Sequence, residues 1–235
     1  MENLAIYVKK LNDYEIFKLI PEIKCYKDIK NEDGITLWER VEKMVKTINI
    51  EHSRCYYATL YIAILFHEIG KTKSVENYEE IGAEMCKPIL HRLGLDSFIN
   101  KVVYLVKNQR KLLDFNDCSE VENIRKIRKL MFYAEDYSNF RDLVYLTEAI
   151  EMTNVSRISG LLLSSKLWLM ISDLGELGYL YKEHLSIVTI PIREEHNELS
   201  DDEFNSLLEE VVKYVIDNDM KTNEIENFFD NILIE

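Results

Sequence analysis

The sequence contains little glycine and little proline, only 7 and 3 residues respectively among 235. These residues supply most tight turns, so their scarcity argues against sandwiches and barrels and favours long helices. No apolar run approaches the roughly 20 residues that a membrane-spanning helix needs. The chain also does not begin with a basic segment followed by an apolar stretch. We therefore expect a cytoplasmic protein without a signal peptide or membrane contact.

Four cysteines, Cys25, Cys55, Cys86 and Cys118, lack the paired spacing of metal-binding and redox motifs, which is typical of reduced thiols. The net charge of −13 is unevenly distributed, because residues 191–235 hold 3 basic and 14 acidic residues. An acidic tail repels phosphates and counts against a broad nucleic-acid surface. The same tail would suit a basic protein partner.

Hydrophobic spacing predicts helices along most of the chain. Thr36 and Glu39 have the spacing of a capping box, which predicts a helix that begins there and breaks at residues 49–53. Residues 54–69 are densely apolar, which predicts a helix buried on nearly all sides. Further helices are predicted at 79–93, which Pro88 would kink or divide, and at 96–113, 121–136, 139–152 and 155–182.

The pattern changes near the C-terminus, where residues 185–192 are rich in Ile, Val and Thr and predict a strand. A single strand cannot satisfy its own backbone hydrogen bonds, so it needs a partner. That partner would be residues 4–8 or a second copy of the chain in a homodimer. We therefore predict a mostly α fold with an N-terminal segment (1–15), a helical domain (16–150), additional helices (151–184) and a small acidic α/β appendage (185–235).

The sharpest local feature is the end of the apolar helix, where His67 and Glu68 are followed by Gly70 and Lys71. An adjacent imidazole and carboxylate can bind a metal together, and a lysine can meet an oxyanion as a point charge. By spacing alone, the same residues also fit an ordinary helix end. In that reading glycine ends the helix, and the basic side chains face the negative end of the helix dipole.

Residues 63–71 (AILFHEIGK) resemble the His-Asp-Ile-Gly-Lys core of the HD superfamily of metal-dependent phosphohydrolases. The resemblance extends to one branch, the HD region of bacterial CCA-adding tRNA nucleotidyltransferases. It covers roughly residues 16–150 and implies an HD-like helical bundle. The catalytic nucleotidyltransferase head does not precede residue 16, so we do not expect nucleotide addition. The segments that resemble this branch are 19–22, 36–40, 78–84, 89–93 and 102–109.

The resemblance also implies a set of metal ligands, several of which are replaced in this sequence. Arg40, Tyr78 and Gln109 stand at three of the four histidine positions. Arginine stays protonated and does not coordinate metals, and neutral tyrosine and glutamine are poor ligands. The implied metal site is therefore largely lost.

Four residues remain that could bind one divalent ion such as Mn, Fe, Zn, Ni or Mg, namely His67, Glu68, Glu135 and Asp136. Arg40 would lie beside that ion. At about 4 Å and an effective dielectric near 20, like charges repel by roughly 4 kcal/mol per unit charge. We therefore expect Arg40 to replace the metal electrostatically and to pair with Glu68 and Glu135.

These substitutions favour a degenerate HD domain that binds a phosphorylated ligand or a protein partner, with weak or no hydrolysis and without a metal. Arg40 and Lys71 would then bind the anion of a nucleotide, a phosphate or an RNA end. The alternative is an active single-metal phosphodiesterase or phosphatase on nucleotide or RNA phosphoesters, with His67, Glu68 and Lys71 as catalytic residues. A third possibility is a helical interaction scaffold.

Overall fold

The described residues of the computed structural model are 2–31, 33–51, 58–113, 120–134, 136–155, 157–172, 200, 206, 210, 213–218 and 220. Most of them are helical, which confirms the predicted mostly α fold. The strand predicted at 185–192 lies outside the described residues. Residues 4–8, suggested above as its partner, belong to a helix, so that part of the prediction is wrong.

Between residues 2 and 172 the described ranges contain nine α-helices and three short 3₁₀ helices. The 3₁₀ helices are Pro21–Lys27, Ile69–Thr72 and Asp96–Phe98. The α-helices are α1 (Glu2–Lys9), α2 (Asp13–Leu19), α3 (Leu37–Glu51), α4 (Ala58–Phe66), α5 (Tyr78–Arg92), α6 (Ile99–Asn108), α7 (Glu120–Tyr133), α8 (Tyr137–Asn154) and α9 (Arg157–Ser172).

The chain divides into two compact units. The first unit comprises Met1–Asp114 and Arg141–Leu167, and the second comprises Phe115–Phe140 and Trp168–Glu235. The domain boundaries predicted at residues 15, 150 and 184 stay a prediction. Within the part of the chain that the structure describes, no helix combines the length and the apolar character that crossing a membrane would require.

The start of α3 follows the capping box that the sequence predicts. The backbone N–H of Thr36 donates to Oε2 of Glu39 at 2.8 Å, and the backbone N–H of Glu39 donates to Oγ1 of Thr36 at 3.1 Å. This reciprocal pair satisfies two donors at the helix start. It also fixes the register of α3, which places Arg40 in its first turn.

Helix α3 ends at Glu51, within the range 49–53 where the sequence predicts a break, and it still includes Asn49. The side chain of Asn49 makes tertiary hydrogen bonds. It donates to the backbone carbonyl of Lys9 at 3.1 Å and accepts from the hydroxyl of Tyr61 at 2.7 Å. Tertiary contacts have therefore overridden the weak helix propensity of asparagine.

Two other helices can be compared with their predicted form. Pro88 lies inside α5 and does not divide it, and the predicted alternative, a kink, stays a prediction. The helix predicted at 96–113 is shorter, since α6 is Ile99–Asn108 and a 3₁₀ helix precedes it. The side chain of Asn108 donates to the backbone carbonyl of Tyr104 at 2.8 Å. Gln109 consequently lies just beyond the end of α6 rather than inside a helix.

Helix α4 is buried on all sides, as predicted. Every side chain from Leu60 to Phe66 is buried, and the hydroxyl of Tyr26 donates to the backbone carbonyl of Leu65 at 3.2 Å. Burying large apolar side chains is worth roughly 1.5–3 kcal/mol each. Helix α4 is therefore held firmly in the core, and the residues that directly follow it lie in the protein interior.

Gly70 allows the 3₁₀ helix after α4 to pack directly on the start of α5. A Cβ atom at Gly70 would lie 1.9 Å from the carbonyl oxygen of Tyr78, far inside van der Waals contact. Gly82 faces the same 3₁₀ helix, and a Cβ there would lie 3.3 Å from the backbone nitrogen of Gly70. This close approach sets the position of Lys71 relative to α5.

We expect Gly70→Ala to lower the free energy of unfolding by about 3 kcal/mol or more, because the added methyl group would force two backbone segments apart. Gly94→Ala is the matched control. Gly94 has a φ of +67° but open space around it, so only the cost of the left-handed backbone, about 1 kcal/mol, is expected. Urea denaturation measures both variants. Equal losses would contradict the packing argument.

Candidate functional site

Residues at the ends of several helices line one pocket of about 620 Å³ in the first unit. A volume of this size is typical of small-molecule sites. The pocket brings together the retained and the replaced positions of the family resemblance. They are Arg40 from the start of α3, His67 and Glu68 after α4, Lys71 in the following 3₁₀ helix, Tyr78 at the start of α5, and Gln109 after α6.

The carboxylate of Glu68 is only 3 % exposed and faces a cation with each oxygen. Oε1 lies 2.5 Å from Nζ of Lys71, and Oε2 lies 3.6 Å from Nε of Arg40. Burial raises the pKa of the Glu68 carboxyl, but its interactions with His67, Lys71 and Arg40 lower that pKa by more. The carboxylate is therefore ionised at pH 7, and the predicted pairing of Arg40 with Glu68 is present.

His67 is 2 % exposed and neutral. Burial lowers the pKa of its imidazole, and the opposing attraction of Glu68 does not reverse this shift. Nδ1 lies 2.7 Å from the backbone carbonyl of Ile64, an acceptor, so Nδ1 carries the proton. The lone pair of Nε2 then lies 3.5 Å from Oε2 of Glu68. Within the described residues, neither atom makes a hydrogen bond.

Arg40 has two further partners that the sequence analysis did not identify. Nη2 donates to Oδ2 of Asp33 at 3.0 Å, and Nη1 donates to Oδ1 of Asn154 at the end of α8. The guanidinium group thus lies beside oxygens of three side chains, two of which accept hydrogen bonds from it. The local signal for Asp33 in the sequence is the turn that it forms with Gly34, which has a φ of +78°. Glu135, the other predicted partner, lies outside the described residues.

Tyr78 and Gln109 both contact the stretch of chain that carries His67, Glu68 and Lys71. Nζ of Lys71 lies 4.7 Å from the centre of the Tyr78 ring, within the range of a cation–π interaction. The side-chain amide of Gln109 donates to the backbone carbonyl of His67 at 2.5 Å. Each residue that the HD resemblance places at a lost histidine position therefore contacts the segment that carries His67, Glu68 and Lys71.

The pocket is positively charged although the chain is acidic. Four cationic side chains, those of Lys30, Arg40, Lys71 and Arg110, line it together with two acidic ones, a net charge of +2 with His67 neutral. The chain as a whole has a net charge of −13. A concave site with a net charge concentrates ligands of the opposite sign. The pocket is therefore suited to an anion.

The last predicted metal ligands are Glu135 and Asp136. Glu135 lies outside the described residues, and Asp136 belongs to the second unit. Oδ1 of Asp136 accepts from the hydroxyl of Ser138 at 2.6 Å and from the backbone N–H of Asn139 at 2.9 Å. These are the hydrogen bonds of a residue that caps the start of a helix, here α8.

The described residues do not fit a divalent metal ion well. Nε2 of His67 and Oε2 of Glu68 are suitable ligand atoms, but no group of three or more His, Cys, Asp or Glu side chains comes together in the described ranges. The guanidinium nitrogen of Arg40 is 3.6 Å from the same Oε2. A metal bound there would meet the repulsion calculated above, roughly 4 kcal/mol per unit charge.

Comparison with protein-family models, with curated proteins and with solved structures gave no significant match. The HD resemblance therefore stays a prediction. The structure independently places the residues that the motif singled out in one pocket. It also adds three polar residues that sequence reasoning missed, namely Asn31, Asp33 and Asn154.

We expect Glu68→Gln to lower the free energy of unfolding at pH 7 by about 2–4 kcal/mol, because it leaves two partly buried cations without their shared carboxylate. The folded-state pKa of Glu68 lies below its ordinary value of 4.5. The stabilisation is therefore present above pH 4.5 and is lost as the pH falls below it. Urea denaturation between pH 7 and pH 4 should show the two proteins converging.

Glu84→Gln is the control for this experiment. Glu84 is an exposed acid on α5 that pairs with Lys87 at 2.7 Å. A surface pair of this kind contributes about 1 kcal/mol or less. If Glu84→Gln and Glu68→Gln cost the same at pH 7, the buried charge of Glu68 does not have the stabilising role assigned to it.

Proposed function

We propose that the pocket binds the phosphate group of a small phosphorylated ligand, such as a nucleotide or an RNA end, with weak or no hydrolysis. The observation that carries the proposal is the net positive charge of a ligand-sized pocket on a strongly acidic chain. Guanidinium and ammonium groups are the side chains that most often bind phosphate. Arg40 and Lys71 are the proposed anion-binding pair.

The arrangement of these two cations supports a phosphate ligand. Their side chains are 11 % and 17 % exposed, so they reach the pocket while remaining partly shielded from water. Partial shielding strengthens the attraction for an anion relative to a fully exposed pair. Arg40 is also held in one orientation by its contacts with Glu68, Asp33 and Asn154, which reduces the entropy that a ligand must remove.

Two features support weak rather than efficient hydrolysis by this chain's own residues. Nε2 of His67 and Oε2 of Glu68, the atoms that could accept a proton from water, are both buried. Oε1 of Glu68 already accepts a hydrogen bond from Lys71. A general base must reach the water that it activates, and neither group has an exposed lone pair for this purpose.

One observation favours the alternative, a metal-dependent phosphohydrolase. Nε2 of His67 and Oε2 of Glu68 lie 3.5 Å apart with no donor between them among the described residues. Elemental analysis of protein purified without chelator, with turnover of bis-p-nitrophenyl phosphate, decides between the two proposals. About one metal ion per chain, with turnover that His67→Ala abolishes, would overturn the binding proposal.

We expect inorganic phosphate, adenosine monophosphate or a 5′-phosphorylated RNA oligonucleotide to raise the melting temperature. A hundredfold excess over the dissociation constant stabilises a folded protein by about 2.7 kcal/mol, which corresponds to several degrees. Arg40→Ala should abolish the shift. Arg92→Ala, which removes an arginine that pairs with Glu22 outside the pocket, should retain it. The absence of a shift with all three ligands would contradict the proposal.

A further inference from the structure

Asp33 occupies the position on Arg40 that an incoming anion would need. We propose that Asp33 is a resident anion, which a phosphate group must displace from Arg40, and that this exchange sets the affinity of the pocket. The inference rests on the proposed function above. Its starting observation is the contact of 3.0 Å between Oδ2 of Asp33 and Nη2 of Arg40, at the wall of the pocket.

The two carboxylates that face Arg40 differ in their exposure to water. The side chain of Glu68 is 4 % exposed, whereas that of Asp33 is 41 % exposed. Moving Glu68 away from its cations would leave a charge unpaired in the interior, which is strongly unfavourable. Water can solvate Asp33 when it leaves Arg40, and partly exposed ion pairs are weak. Asp33 is therefore the exchangeable partner.

The turn that carries Asp33 has hydrogen bonds of its own. Oδ1 of Asp33 accepts from the backbone N–H of Ile35 at 3.1 Å, and the backbone N–H of Gly34 donates to the carbonyl of Asn31 at 2.9 Å. Neither contact involves Arg40. The turn can thus keep its conformation when Oδ2 gives up the guanidinium group, which makes the exchange a local event.

The stretch of chain that carries Asp33 also contacts Lys71, the second cation of the proposed site. Oδ1 of Asn31 accepts from Nζ of Lys71 at 3.2 Å. Side-chain oxygens from one short stretch of chain therefore contact both Arg40 and Lys71. A phosphate group presents several oxygens and can replace both contacts together. The apparent affinity is then reduced by the fraction of molecules in which Asp33 holds Arg40.

The test compares Asp33→Asn with Asp28→Asn by calorimetric titration with inorganic phosphate. Asparagine keeps the shape of Asp33 and an acceptor for Ile35 but removes the competing charge. We expect Asp33→Asn to bind phosphate about three- to tenfold more tightly than the wild type. Asp28→Asn also removes one negative charge, from the same stretch of chain between the first 3₁₀ helix and α3. Among the described residues, the carboxylate of Asp28 pairs with no pocket cation and does not line the pocket, so no change is expected.

A second measurement follows the exchange in the unmodified protein. The carboxyl ¹³C resonance of Asp33, assigned by its loss in Asp33→Asn, should move when phosphate is added, while that of Asp28 should not. If Asp33→Asn binds phosphate no more tightly than the wild type and the resonance stays fixed, Asp33 is not a competitor, and the binding proposal is unaffected. If neither the wild type nor Asp33→Asn binds phosphate, the binding proposal itself is wrong.

Discussion

The buried negative charge of Glu68 is the constraint on which the pocket depends. A carboxylate in the interior costs several kcal/mol unless cations compensate it. The chain supplies Lys71 from the following 3₁₀ helix and Arg40 from the start of α3. Compensation of this one anion therefore gathers cations from separate parts of the chain. Together with Lys30 and Arg110, they exceed the acidic side chains and leave the pocket positive.

The three residues that the HD resemblance places at histidine positions share a structural role. Arg40 contacts the carboxylate of Glu68, the Tyr78 ring lies beside the ammonium group of Lys71, and Gln109 donates to the backbone of His67. A metal ion joins the elements that supply its ligands. Here side-chain contacts join the starts of α3 and α5 to the ends of α4 and α6. This arrangement is consistent with a site that binds anions without a resident metal.

The contacts of Arg40 have two opposite effects on its affinity for an anion. Oxygens of three side chains hold the guanidinium group in place, which lowers the entropic cost of binding a ligand. One of these side chains, Asp33, is itself an exposed anion. The same contact that orients the arginine therefore also occupies it. In the proposed function, an incoming anion must compete with Asp33 for Arg40.

The features that depend on near neighbours could be predicted from the sequence alone. The scarcity of glycine and proline indicated helices, the capping box at Thr36 marked the start of α3, and the apolar run predicted a fully buried α4. The motif also placed His67, Glu68 and Lys71 side by side. These features were predictable because caps and amphipathic patterns act within a turn or two of helix.

Packing between distant segments sets which side chains complete the site. Asn154 is 114 residues from Arg40 along the chain, and their contact depends on how the start of α3 meets the end of α8. Asn49 lies in the last turn of α3, where its side chain makes hydrogen bonds to Lys9 and Tyr61. Such contacts depend on packing between distant segments, which a local sequence pattern does not encode.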